Sequence, residues 1–247
     1  MARAAAKKSK TVKTDKRNSS NAQSEDMIRK TLADQIAEKL GWEIVFRQIP
    51  PGARIREIEL ATRFNVSRPL MRSVIQRLEV QGLVETVPWK GASVPVLSVT
   101  QLSDLYEFSA LVFGFVCRLA AQRATEEQLS KLSVSVGNLG RLAKSNCTAE
   151  EYERERTATH MLLETCLGEA NELMERRPIV RRIRHQFSID SVRTSELRRA
   201  SAQRWKTLLS YLKARDAAAA EAHACDMILS TRDAALKAHG ELQAATA

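Results

Sequence analysis

Arg68, Arg72 and Gln76 recur at every fourth position in the run NVSRPLMRSVIQRLEVQGLVETV, from Asn65 to Val87. That spacing gathers them on one side of a helix. An arginine presents a rigid fork of donors that matches the two acceptors of a guanine edge, or a phosphate, and a glutamine can read adenine in the same two-pronged way. On the opposite side Met71, Val74, Ile75 and Leu78 recur at i, i+3, i+4 and i+7, the buried stripe of an amphipathic helix. One side therefore fits a core and the other fits a major groove. A second candidate chemistry lies further on. His160 and Glu164 stand four residues apart, so they share a helix face and could contribute to a metal site.

The elements that hold the arginines are written around them. Ser67 is placed as the N-cap, Val66 before it can pack on Met71 as a hydrophobic staple, and Pro69 falls in the first turn, where a missing N–H costs little. Gln81-Gly82 closes the helix. Upstream, Glu57 to Phe64 predicts a short helix whose apolar side is Ile58, Leu60, Ala61 and Phe64, and Asn65-Val66 leaves a turn of helix-turn-helix length. Downstream, residues 84–88 and 92–96 predict two strands around a Trp89-Lys90-Gly91 turn. Such a wing lets Lys90 and Gly91 approach a minor groove or the backbone closely.

Composition agrees with a polyanionic partner. The 247 residues carry a formal charge of +10 and a pI near 9.7, and phosphate contacts supply most non-specific affinity for DNA. Residues 1–26 hold seven Lys or Arg against three acids and almost no large apolar side chain, so they are expected to form a disordered basic arm. No apolar stretch reaches the length needed to span a bilayer. Cys117, Cys147, Cys166 and Cys225 are far apart with no CxxC, which predicts neither a disulfide framework nor a zinc knuckle and fits a reducing cytoplasm.

From residue 98 the pattern is helical to the end. Thr100 or Ser103 can cap a first long helix through Leu102, Leu105, Phe108, Val112, Phe115, Val116 and Leu119. Thr125 opens a second through Leu129, Leu132, Val136 and Leu139, and Thr148 a third that reaches about Leu167. Asn171 starts a fourth with Pro178 as a kink, residues 195–211 form a fifth, and Asp216 caps the last. The fold class predicted is mainly α: a winged helix-turn-helix domain at 27–97, then an antiparallel bundle of about six helices at 98–247.

These residues resemble the GntR superfamily of bacterial transcriptional regulators. The likeness rests on Pro50-Pro51-Gly52, on Ile55 to Ala61, on Val66 to Ile75, on Gln81-Gly82-Leu83-Val84 and on Lys90 to Val94. It implies that Arg68 and Arg72 contact an operator, helped by Ser67, Gln76, Lys90 and Gly91. Pro69-Leu70 replaces the family's Thr-Pro and Arg47 stands where glycine is common, departures expected to alter which sequence is preferred. The second half is similar to the FCD branch, whose helical domain binds an effector and pairs the subunits. The markers are Thr100-Gln101-Leu102, Leu105-Tyr106-Glu107, Leu119-Ala120-Ala121, Thr159-His160, Gly168 to Asn171 and Ala214 to Ala217.

Many FCD proteins hold a metal with one Asp and three His. Here only His160 matches; the other three positions carry Arg156, Trp205 and Met227. The effector-facing Arg and Glu of the family appear as Ser109 and Phe113. The interior has shifted from ionic to apolar, so no metal and no other cofactor is expected. Three arrangements stay open: a metal rebuilt from His160, Glu164 and His223, a metal-free pocket for a larger apolar effector, or a bundle filled by its own side chains.

A sequence-specific regulator, repressor or activator, binding a pseudo-palindromic operator as a homodimer is the function expected. The alternatives are an architectural DNA-binding protein and a metal-dependent enzyme on the bundle. Against catalysis stands the lack of a nucleophile beside a base and of a phosphate-binding glycine loop.

Overall fold

The computed structural model describes residues 31–89, 91–168 and 188–246. The basic arm, Lys90, most of the Gly168–Asn171 marker and the expected fourth helix lie outside the described residues.

The first unit starts with α1 (Leu32–Val45), which the motifs had not placed. Thr31 and Asp34 cap it reciprocally: the Asp34 N–H donates to Thr31 Oγ1 at 3.2 Å and the Thr31 N–H donates to Asp34 Oδ2 at 3.0 Å. Then come β1 (Arg54–Ile55), α2 (Glu57–Phe64), α3 (Arg68–Val80), β2 (Glu85–Val87) and β3 (Gly91–Ser93). The two wing strands pair antiparallel with Thr86 opposite Ala92, and β1 joins the free edge of β3 with Ile55 opposite Ala92. The order is thus β1-β3-β2. A two-residue strand is too short to show alternation, which is why β1 was illegible in the sequence.

Ile36, Leu40 and Ile44 from α1 bury against Met71, Val74 and Leu78 from α3 and against Leu83, Val84 and Val94 around the wing. Burying each such side chain favours the fold by about 1.5–3 kcal/mol relative to leaving it in water. Ile58 corrects the expectation for α2, because it is 58% exposed. Leu60 and Phe64, four apart, turn with Ala61 toward the core and leave Ile58 round the far side of Ala61.

The second unit holds α4 (Val99–Arg123), α5 (Glu126–Leu142), α6 (Ala149–Glu164), α7 (Ser195–Lys213) and α8 (Ala217–Thr246), with short 3₁₀ turns at Thr165–Leu167 and Ser188–Val192. The cap of α4 is Ser98 rather than Thr100 or Ser103. Ser98 and Gln101 form a reciprocal box, the Gln101 N–H donating to Ser98 Oγ at 3.1 Å and the Ser98 N–H to Gln101 Oε1 at 2.9 Å. Thr125 and Thr148 cap α5 and α6 as expected, and Asp216 accepts from the Ala219 N–H at 3.0 Å at the start of α8. Leu129, Leu132, Val136 and Leu139 enter a core built with Val116, Leu119, Leu163, Trp205 and Leu208. The apolar face of α4 is narrower than its sequence suggested, because Phe108 is 37% exposed.

Candidate nucleic-acid interface and bundle interior

Helix α3 divides as its spacing requires. Met71, Val74 and Leu78 have no exposed surface and Ile75 has 8%, while Arg68, Arg72 and Gln76 are exposed together on the other side. Its start is set by Ser67, whose hydroxyl accepts from the Leu70 N–H at 3.4 Å. Pro69 occupies the second helical position, so the cap has one fewer amide to satisfy. The turn before it depends on Asn65 at φ 52 and on the Val66 N–H, which donates to the Ala61 carbonyl at 3.0 Å. Gly82, at φ 72, closes the helix.

Arg72 has a partner that spacing did not disclose. Its Nε and Nη2 donate to the two carboxylate oxygens of Glu57 at 3.1 and 3.2 Å. Arg72 is 66% exposed, so the pair contributes little to stability, on the order of 0–1 kcal/mol. Its consequence is geometric, because a two-pronged clamp limits where the guanidinium points. A similar clamp braces α2 on α1, with Arg63 donating to the largely buried Glu43 at 2.9 and 2.5 Å. Glu79 ties the end of α3 to the wing by accepting from the Thr86 N–H at 3.2 Å.

At the wing tip Trp89 is fully exposed and sits at φ 67, a left-handed conformation uncommon outside glycine. Gly91, at φ 83, completes the reversal without a side chain. An indole held entirely in water at the end of a two-stranded ribbon is a candidate contact that charge pattern alone does not disclose. Its signal was present as the aromatic residue in the Trp89-Lys90-Gly91 turn.

In the bundle, three residues singled out from sequence come together. His160 lies 4.9 Å from the Phe113 ring and 4.7 Å from the Trp205 ring, and Phe113 and Trp205 are 6.1 Å apart. Met227 belongs to the same buried cluster, and Ser109 is buried at 7% exposure. His223 is turned elsewhere: its Nε2 is 3.0 Å from the Arg204 carbonyl and its ring 5.6 Å from Tyr211. Among the described residues no three His, Cys, Asp or Glu side chains are placed to hold a metal ion. Arg156 brings its own positive charge to this interior. It is 8% exposed, pairs with Glu153 at 2.5 Å, and donates through Nη1 to Ser191 Oγ at 2.9 Å. Arg156 is already committed to Glu153, and Trp205 and Met227 offer a divalent ion no good donor, so the residues do not suit the family's metal.

Ser191 sits in the short 3₁₀ turn Ser188–Val192, which arginines grip from several elements. Its neighbour Asp190, 2% exposed, accepts from Arg193 at 2.9 and 2.8 Å and from Arg47 of the winged unit. Arg198 donates to the carbonyls of Val192 and Arg193, both at 3.0 Å. Arg47 follows α1 at φ 59, which accounts for glycine being favoured at such a position. Its guanidinium is engaged by Asp190 of the other unit. Beside it, the Arg154 guanidinium lies 4.7 Å from the Trp42 ring and 5.1 Å from that of Phe46. An ion pair and two cation–ring contacts therefore tie the helical unit to the end of α1.

A winged helix-turn-helix joined to a helical bundle defines a class of two-domain regulatory proteins. The family model for bacterial regulatory proteins of the gntR family matches residues 32–94, and that for the FCD domain matches residues 104–229. The chain belongs to the GntR family, in its FCD branch. It is 42% identical over 82 residues to the Nta operon transcriptional regulator of Aminobacter aminovorans, a stretch that is 33% of this chain and 39% of that protein. It is 34% identical over 98 residues to the HTH-type transcriptional repressor RspR of Escherichia coli K12, 40% of this chain and 43% of the relative. The chain thus spans less than half the length of these relatives. Among solved structures, E. coli McbR/YncC shares the fold with a TM-score of 0.66 at 18% identity, over 82% of this chain and 95% of that one. A GntR regulator from Rhodococcus sp. RHA1 has a TM-score of 0.56 at 16% identity, over 86% and 98% of the two chains. No helix among the described residues is long and apolar enough to cross a membrane.

Proposed function

We propose that the protein is a homodimeric transcriptional regulator that reads a pseudo-palindromic operator, with residues 27–97 binding DNA and residues 98–247 pairing the subunits and sensing a small effector. The observation that carries this reading is the exposed trio Arg68, Arg72 and Gln76 on a helix whose other side is fully buried. In this reading the trio enters the major groove, Ser67 meets the phosphates beside it, and Lys90 and Gly91 of the wing approach the adjacent backbone. The names of the relatives, an operon regulator and a repressor, support the same assignment.

Trp89 adds an apolar wedge at the wing tip. Trp89→Ala is expected to weaken operator binding by about tenfold, since buried aromatics dominate such interfaces, and to leave thermal stability unchanged because the ring is exposed. Titration of a labelled operator checks this, and equal affinities would remove Trp89 from the interface.

An effector site in the bundle would centre on Phe113, His160 and Trp205, whose rings suit an apolar or aromatic molecule. The contacts that would carry its signal to the winged unit are Arg156 with Ser191 and, one residue before it, Asp190 with Arg47. Two half-sites demand one fixed spacing of two recognition helices, so a small change of orientation releases the operator.

Selection of bound duplexes from a random pool by the purified protein tests the reading. The expected product is an inverted repeat favoured over random DNA by several kcal/mol, about a thousandfold. Bound duplexes with no shared sequence would instead identify an architectural DNA-binding protein.

A further inference from the structure

We infer that α4 carries the surface on which two copies of this chain pair, through the seam Asp104, Phe108, Leu111, Phe115 and Arg118. The inference rests on the homodimeric reading above and adds the place, the register and the charge pattern. The five positions are spaced by four, three, four and three residues, the narrow stripe by which helices pack side by side in coiled coils. Leu111 is 69% and Phe108 37% exposed, and Phe115 is partly buried. The opposite side of the same helix, with Leu102, Tyr106, Cys117 and Ala120, is buried in the protein's own core. The seam is therefore a second apolar side on a helix whose structural need for burial is already met.

Its occupant is argued from symmetry. Read in either direction the seam runs charged, Phe, Leu, Phe, charged, with Leu111 at its centre. An antiparallel copy related by a two-fold axis through Leu111 sets Phe108 beside the partner's Phe115, and Asp104 opposite the partner's Arg118. Opposite charges at the two ends make the stripe complementary to itself in that direction. A parallel pairing would set Asp104 on Asp104 and Arg118 on Arg118, which like-charge repulsion disfavours. Arg118 is available at the edge of the seam: it is 42% exposed, its guanidinium lies 5.1 Å from the Phe115 ring, and its Nη1 is 3.4 Å from Glu221. Helix α8 lies alongside, with Arg232 reaching Glu107 at 3.2 Å, so the polar rim beside the seam is already organised.

Sedimentation equilibrium of the full chain, with circular dichroism to confirm folding, tests the seam. Wild type is expected to be dimeric and Leu111→Glu monomeric, with an unchanged helical spectrum because Leu111 faces water in the single chain. Asp104→Arg and Arg118→Asp are each expected to raise the dimer Kd by about tenfold or more, and the doubly reversed protein to recover the wild-type value. A dimeric Leu111→Glu, or a double variant no tighter than the singles, overturns the seam and leaves the dimer reading standing. A monomeric wild type overturns both.

Discussion

Arg72→Ala is expected to bring operator affinity down to the level of random DNA while the protein stays folded and dimeric. Each recognition helix would lose one two-pronged base contact, worth about 1–3 kcal/mol, and a two-fold complex loses it twice, so the drop is about 4 kcal/mol or about a thousandfold. Affinity for random duplex should fall far less, because phosphate contacts elsewhere remain. The fold is spared because Arg72 is two-thirds exposed and its pair with Glu57 is a surface pair. Competition titrations with operator and scrambled duplexes measure both numbers, and an operator affinity within about twofold of wild type would reject this face of α3.

Asp190→Asn is expected to have the largest effect on stability, and to separate the two units. Asp190 is 2% exposed and shared by Arg47, itself 13% exposed, and Arg193. Removing its charge leaves the Arg47 guanidinium without its carboxylate, a loss of about 3 kcal/mol, near the low end for buried pairs because Arg47 keeps some access to water. The variant should unfold in two steps in urea, the winged unit no longer being held to the bundle, and its operator should stop responding to effector. A single transition within about 0.5 kcal/mol of wild type would show that Asp190 does not join the units.

Local features were legible to about one residue. Ser67, Thr125, Thr148 and Asp216 cap where their side chains and the following apolar periods require, and the stripe of α3 is buried as its spacing demands. The misses have local causes too. Ser98 outcompetes Thr100 because only Ser98 has a glutamine three residues on to close the box. Ile58 reads as core because a two-turn helix supplies too few apolar positions to define its inward direction.

For the candidate sites, the sequence by itself determined the chemistry each face carries: arginines and a glutamine outward on α3, and in the bundle Arg156, Trp205 and Met227 at the positions where the likeness to the FCD branch implies metal ligands. Tertiary structure alone decided what those groups meet. Glu57 holds Arg72 from fifteen residues away, Asp190 holds Arg47 from 143 away, and Phe113, His160 and Trp205 converge from three helices. Helical periodicity reports neighbours within a turn or two, because backbone geometry fixes those distances whatever the rest of the chain does. Contacts across elements depend on how whole faces pack, and they leave no spacing in the sequence from which to read them.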